Sequence, residues 1–510
     1  MVEHYLDRLA RTINENWDRP ALTDFYLTED GSAQDTSRGN HYTYGEMYEE
    51  ILHVCDIFQS LGLLKGDHIA VCGANSAHWA IAYLAIAAYQ GVAVTILHSQ
   101  APEDIAHQID FSDAKALFTD EDLWEELSSH RPILDDLCSV ISLENWQIIL
   151  GKEIPITNYH LPFTNRDSHF SLGDIENPAM ICFTSGTTNS QKGIMLSYGN
   201  ISNNVKNITD GYPNDDVKVF LSVLPMAHMF GLVTEILAQL LKGKHVYILA
   251  NITIEKLYNA IKIVQPYALR LIPFFASSLV RFHGGTSLLK TCKQIYIGGS
   301  LFDKRIEKEL LEAKIPISIG YGQSEAGPMI SYSICQEYKI GTCGKIVSGM
   351  TARISPAGEI LVKGENVMLG YYKDPEATAR KIDKDGWLHT GDKGHLDEDG
   401  YLYVEGRLEQ DIIVLPNGEN IHPEDIERKI NALPEVSESI VLAREGKLVA
   451  IVVPNTLPFR EEKEVGSLRH HVLRTINPEL PLYSQLYDVE ITDVPLQKTE
   501  KQTIKRYLYK

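Results

Sequence analysis

The stretch Thr184-Ser185-Gly186-Thr187-Thr188-Asn189-Ser190-Gln191-Lys192-Gly193 lies between two apolar runs, Ala179 to Phe183 and Ile194 to Leu196, that both read as strands. Small hydroxyl residues around a Gly let backbone N–H and side-chain O–H groups converge on one anion, and Lys192 adds a positive charge at the far end. That composition suits the phosphates of a triphosphate. The stretch is not a Walker A loop, because no second Gly precedes the Lys directly and a strand, not a helix, follows. A plain surface turn uses the same residue types, so the loop by itself leaves both readings open.

Working outward, apolar strands alternate with helical patterns. Val219 to Leu224 reads as a strand, Leu232 to Leu241 as a helix, Val246 to Leu249 as a strand, Ile254 to Val264 as a helix and Leu269 to Ile272 as a strand. Strand Gln294 to Ile297 then runs into Gly298-Gly299-Ser300, helix Phe302 to Ala313 follows, and strand Ile315 to Ile319 runs into Gly320-Tyr321-Gly322. This alternation predicts parallel strands with crossover helices, and Gly-rich strand ends are where open α/β sheets admit ligands. Beyond Gly406 the pattern turns to short strands, an Asn417-Gly418 turn and helices at Pro423 to Leu433 and Leu468 to Ile476. The expected fold class is therefore α/β: a large multi-layer N-terminal α/β domain over residues 1–406 and a small α+β domain over 407–510. The stretch Arg19 to His41, rich in Gly, Ser, Asp and Thr, reads as a polar loop.

At 510 residues, with 44% hydrophobic and 23% charged residues, the chain has the make-up of a soluble globular protein with more than one core. A net charge of -21 argues against a duplex nucleic-acid binder, for want of a basic field to displace counterions. The seven cysteines are scattered without Cys-x-x-Cys spacing, which argues against a disulfide framework or zinc site and for a cytoplasmic location. No basic and apolar leader opens the sequence. The longest apolar run, Trp79 to Leu97, is Ala-rich and broken by Gln90-Gly91; it reads as a buried helix, a turn and a buried strand, leaving at most peripheral membrane contact.

Further segments follow the loop in order: Leu224-Pro225-Met226-Ala227-His228, Gly320-Tyr321-Gly322-Gln323-Ser324-Glu325, Asn366-Val367-Met368-Leu369-Gly370-Tyr371-Tyr372, Trp387-Leu388-His389-Thr390-Gly391-Asp392, Gly406-Arg407 and Asn417-Gly418-Glu419-Asn420-Ile421. Each is weak singly, but their joint order resembles, nearly end to end, the acyl-adenylate-forming superfamily of acyl-CoA synthetases, luciferases and peptide-synthetase adenylation domains. The Asn-Val-Met-x-Gly-Tyr-Tyr wording is similar to that of bacterial long-chain fatty acyl-CoA synthetases.

The resemblance implies an ATP- and Mg²⁺-dependent acid:thiol ligase that forms an acyl-adenylate from a carboxylic acid, a fatty acid first of all, and passes the acyl group to CoA or to an acyl carrier protein. It implies that Thr184, Ser185, Gly186, Thr187, Thr188 and Lys192 hold the β- and γ-phosphates, that Glu325 ligates Mg²⁺ and that Ser324 bonds the α-phosphate. Adenine would lie along Gly298-Gly299-Ser300 and stack on Tyr321 beside Gly322, with Asp392 and Arg407 facing the ribose. His228 would sit by the acid's carboxylate, with Met229 and Phe230 lining an apolar pocket. The resemblance makes the small α+β domain mobile, with a hinge at about 407–411: it would pivot near Glu409 and Gln410, presenting its tail for adenylation and its Asn417-Gly418-Glu419 loop for thioester formation.

Three departures stand against this pattern. Asn189 and Gln191 replace a Gly and a Pro of the family loop; Asn is the non-Gly residue that best tolerates a positive φ. One residue is added between Arg407 and Asp411. In the tail, Lys498-Thr499-Glu500-Lys501-Gln502-Thr503-Ile504-Lys505-Arg506 puts Thr503 where the family has the lysine that bridges carboxylate and α-phosphate, and a hydroxyl cannot supply an ammonium's charge. Lys501 is a candidate substitute two residues away, about 6–7 Å along an extended chain. A solvated Lys-rich terminus is the simpler account of the tail. The rival reading of the whole is a degenerate member that binds ATP or acyl-adenylate with little turnover.

Overall fold

The computed structural model describes residues 2–509 except 29–30, 32, 36, 135–136, 152–167, 171, 184–191, 212–217, 301, 303, 409–412, 415–419, 422, 445–446, 456–461, 481–483 and 499–503. The chain forms two compact units, Met1–Gly406 and Arg407–Lys510.

Among the described residues of the first unit, the largest sheet has eight strands, in the order Gly370–Tyr371, Gly193–Ser197, Pro178–Phe183, Val92–Thr95, His68–Cys72, Ala116–Thr119, Ser139–Ser142, Ile148–Leu150. Its middle is parallel, and Pro178–Phe183 turns back antiparallel onto Gly193–Ser197 with Phe183 opposite Gly193. Helix Ala77–Ala88 is buried on every face from Ala77 to Ala87. It packs within the core that includes Ile69, Met180 and Ile194. Its Ala-rich sequence suits that place, since small side chains let other elements approach all round. Gln90, at φ 64°, turns the chain into strand Val92–Thr95, so the Trp79 to Leu97 run is helix, turn and strand as read. Among the described residues no helix is long and apolar enough to cross a membrane.

A three-stranded parallel sheet, Ala268–Leu271, Gln294–Ile297 and Ile317–Ile319, sits over a separate core of Leu269, Leu271, Ile295 and Ile317. A four-stranded sheet joins Val219–Ser222, His245–Ile248, Pro20–Asp24 and His41–Thr43. Here the structure corrects the reading of Arg19 to His41 as loop: Pro20–Asp24 is a strand parallel to His245–Ile248, with Ala21 and Leu22 fully buried. A five-residue strand carries too short a pattern to outweigh the polar residues after it, and its partner lies far along the chain. The helix read over Leu232 to Leu241 is also revised. Leu232–Leu237 is a π-helix, and only Ala238–Leu241 returns to α geometry.

The second unit is α+β. Strands Val436–Arg444, Lys447–Pro454 and Asp488–Ile491 form one sheet, and helices Pro423–Ile430 and Glu462–Ile476 contribute Ile426, Ile430, Leu468 and Val472 to its core.

Candidate functional site

The loop Thr184, Ser185, Gly186, Thr187 and Thr188 lies outside the described residues, but both strands that carry it are placed. Lys192, at its end, holds its ammonium 4.9 Å from the centroid of the Tyr371 ring. Tyr371 reaches that spot because Gly370–Tyr371 pairs with Gly193–Ser197, Leu369 N–H donating to Met195 and Tyr372 N–H to Gly193. From the other side, the Tyr371 hydroxyl donates to Oε1 of Glu325 at 2.9 Å. The lysine and the carboxylate singled out from sequence thus meet on one aromatic ring, which sequence reasoning had quoted in a motif without giving it a role.

Glu325 sits in the 3-10 turn Ser324–Ala326, and its carbonyl accepts from Met368 N–H at 2.9 Å. The turn is anchored by an asparagine cluster that sequence reading missed. Asn200, Asn203, Asn204 and Asn207 share one face of helix Tyr198–Gly211: Asn203 donates to Oδ1 of the fully buried Asn366 and Asn204 accepts from its Nδ2, while Asn200 donates to Glu365 O and Val367 O and Asn207 to Ser348 O. Asn366 donates to Met329 O at 2.7 Å while Asn204 accepts from Met329 N at 2.9 Å. Their i, i+3, i+4, i+7 spacing was the available signal, since polar residues on the core-facing stripe of a helix require internal partners.

On the strand ends, Gly298 and Gly320 lie side by side. A Cβ on Gly298 would stand 3.5 Å from Gly320 O and 3.4 Å from the Phe230 ring, so the turn read for adenine adjoins the residue read for the acid pocket. At Gly322 a Cβ would fall 1.9 Å from the Pro328 carbonyl oxygen, an approach only Gly permits. Tyr321 donates its hydroxyl to Oδ2 of Asp392 at 2.5 Å, and Gln323 Nε2 donates to the same oxygen at 2.5 Å and to Thr390 O at 2.9 Å. Asp392 lies in strand Leu388–Leu396, 7% exposed. Gln323 is a further residue to which the sequence reading gave no role.

His228, half-buried, caps the short turn Met229–Gly231, where Met229 is buried and Phe230 half-buried. Ser300 follows Gly299, whose φ of 95° suits Gly alone.

In the second unit, Arg407 ends strand Leu402–Arg407. Glu409, Gln410, Asn417, Gly418, Glu419, Lys501 and Thr503 lie outside the described residues. The flanks of the tail are placed and are not free in solvent, contrary to the simpler account. Lys498 bridges to Ile504 and ion-pairs with Glu438, while Arg506 pairs with Glu427 at 2.7 Å and donates to Val441 O at 2.8 Å.

No group of three His, Cys, Asp or Glu side chains forms a metal cluster among the described residues. A magnesium ion fits such a site all the same, because it is held through one or two carboxylates plus substrate phosphates. Glu325, oriented by the Tyr371 hydroxyl, is a carboxylate of that kind.

Residues 9–372 match the AMP-binding enzyme family, and residues 410–509 match the AMP-binding enzyme C-terminal domain. The chain belongs to the AMP-binding enzyme family. Within reach of that family, it is 27% identical over 431 residues to a probable CoA ligase of Humulus lupulus, covering 80% of this chain and 77% of the relative. It is 26% identical over 434 residues to a 2-succinylbenzoate--CoA ligase of Bacillus cereus, covering 82% and 83%. Among solved structures of the same fold is the o-succinylbenzoate CoA synthetase of Bacillus subtilis. Its complex with the acyl-adenylate OSB-AMP superposes with a TM-score of 0.78 at 20% identity, covering 99% and 98% of the chains. Its complex with ATP and magnesium ion gives 0.76 at 21%, covering 98% of each. These relatives do not establish a special closeness of this member to long-chain fatty acyl-CoA synthetases.

Proposed function

We propose that the protein is an ATP- and Mg²⁺-dependent acid:CoA ligase that works through an acyl-adenylate. The observation that carries this reading is the convergence of Lys192 and Glu325 on Tyr371, next to strand ends where Tyr321 and Asp392 are tied together. Both relatives named are CoA ligases, which supports the reaction class.

The chemistry brings an anionic carboxylate to an anionic phosphate, so charge has to be neutralised where it develops. Lys192 and the hydroxyls of Thr184, Ser185, Thr187 and Thr188 hold the β- and γ-phosphates, and Ser324 bonds the α-phosphate. Glu325 would hold magnesium, which supplies charge neutralisation at the phosphate oxygens when bound. Tyr321 and the Gly298-Gly299-Ser300 turn take the adenine, and Asp392 and Arg407 the ribose. With the acid beside His228, its carboxylate oxygen attacks the α-phosphorus and the bond to pyrophosphate breaks. The thiol of CoA, losing its proton to solvent, then attacks the acyl carbon and AMP leaves. An apolar acid suits Met229 and Phe230, and fatty acids are the first class to test; the acid named for the Bacillus cereus relative, 2-succinylbenzoate, is aromatic.

The test is pyrophosphate release over a panel of fatty, aryl and short dicarboxylic acids, with CoA or a holo acyl carrier protein as acceptor. Release with an apolar acid and its thioester as product is expected. ATP binding without release from any acid would support the nucleotide-binding alternative raised by Thr503.

A further inference from the structure

The segment from Val223 to His228, just past strand Val219–Ser222, has irregular backbone, yet side chains from three separate places grip it and the strand end. Oε2 of Glu235 accepts from Ser222 Oγ at 3.0 Å, Val223 N at 2.9 Å and Leu224 N at 2.8 Å. Asn75, before helix Ala77–Ala88, donates to Leu224 O at 2.8 Å and accepts from Met226 N at 2.9 Å. Thr95, at the end of strand Val92–Thr95, donates to Ala227 O at 3.0 Å. A Cβ on Gly231 would stand 2.3 Å from Pro225 O, so the turn after His228 is pressed directly onto the segment before it.

We infer that Glu235 is a positioning residue that, with Asn75 and Thr95, sets where His228 stands in the acid site. Glu235 lies in the π-helix Leu232–Leu237, where the wide turn brings its side chain back over the end of strand Val219–Ser222. Gln239 Nε2 takes up Thr234 O, one of the carbonyls the π geometry displaces. A fully buried carboxyl is costly in a helix that otherwise buries Leu232, Val233, Ile236 and Leu237. Burial pushes the Glu235 carboxyl up to about 7, against the pull of its hydrogen bonds and of Arg270. Packing alone would be served by an apolar residue there, but an apolar residue leaves the Val223 and Leu224 N–H groups buried without an acceptor. Those donors point to a role in holding the His228 segment. In the π-helix, widened turns of this sort recur at functional sites.

The inference rests on the proposed role of His228 beside the acid, and the test separates the two. In the full chain, Glu235→Met keeps the volume and removes the acceptor, whereas Glu235→Gln keeps a carbonyl for the three donors. Diethyl pyrocarbonate modification of His228, followed by mass spectrometry against the exposed His395, should be faster by about threefold to tenfold in Glu235→Met and near wild type in Glu235→Gln. Steady-state kinetics should show a raised KM for the acid and a lowered kcat in Glu235→Met, with the KM for ATP unchanged. Asn75→Ala should repeat the pattern, and it decides the matter if Glu235→Met does not fold. A folded variant with unaltered His228 reactivity, or equal rises in the KM for acid and for ATP, overturns the inference. A wild type that turns over no acid overturns the ligase reading instead, and the His228 reactivity still decides the positioning role.

Discussion

The hydroxyl of Tyr371 donates to Oε1 of Glu325 across 2.9 Å, joining the end of the Asn366–Tyr371 segment to the turn after Gly322. The same ring faces the Lys192 ammonium, so one tyrosine orients a carboxylate and borders a cation. Tyr371→Phe keeps the ring and removes only the hydroxyl. A hydrogen bond to a charged group contributes about 1.5–3 kcal/mol, so the magnesium requirement should rise by roughly tenfold or more. Pyrophosphate release titrated with magnesium checks this; an unchanged midpoint would place Glu325 outside metal binding.

Asp392 holds Tyr321 and Gln323 through one oxygen. If it also faces the ribose, Asp392→Ala should lose discrimination between ATP and 2′,3′-dideoxy-ATP, which wild type should favour by about tenfold per charge-assisted hydrogen bond. Calorimetric titration with both nucleotides measures the ratio. Retained discrimination in the variant would remove Asp392 from the ribose.

On the sequence resemblance, Thr503 falls where the family is expected to carry a lysine. Losing one donor at a developing charge costs about 2.7–4 kcal/mol in a comparable setting, so adenylation should be slow while thiol capture proceeds. Wild type should form thioester faster from supplied acyl-adenylate than from ATP and acid, and Thr503→Lys should raise only the ATP-dependent rate. Fast ATP-dependent turnover by wild type, abolished in Lys501→Ala, would show that Lys501 has taken the role.

His245 reports on stability. Burial, and to a lesser degree His41, holds its pKa down to about 4; its Nε2 lies 2.7 Å from the Thr23 hydroxyl and its ring 4.2 Å from that of Tyr247. A depressed folded pKa means that the unfolded chain binds the proton first, so the contribution is complete above pH 6.5 and is lost as pH falls through about 4. Relative to His245→Gln, wild type should therefore lose about 1–2 kcal/mol between pH 7.5 and pH 5, a range that allows for solvent at a partly buried ring. Thermal unfolding of both proteins at the two pH values gives the difference; an equal gap at both would show that the ring titrates normally.

Read alone, the amino-acid order determined the class of fold, the large α/β part before a small α+β part, and the family, because motifs such as Gly320 to Glu325 and Trp387 to Asp392 are local strings. Local periodicity also placed helix Ile254–Val264 and strand Gln294–Ile297, whose patterns need no distant partner. Tertiary structure alone decided that Pro20–Asp24 is a strand, since its pairing with His245–Ile248 joins residues far apart in the chain. It likewise decided the π turn at Glu235, the asparagine cluster around Asn366, and the meetings of Tyr371 with Glu325 and of Gln323 with Asp392. Hydrogen bonds of this kind are set by which strands lie side by side after folding, and neither composition nor spacing along one segment encodes that neighbourhood.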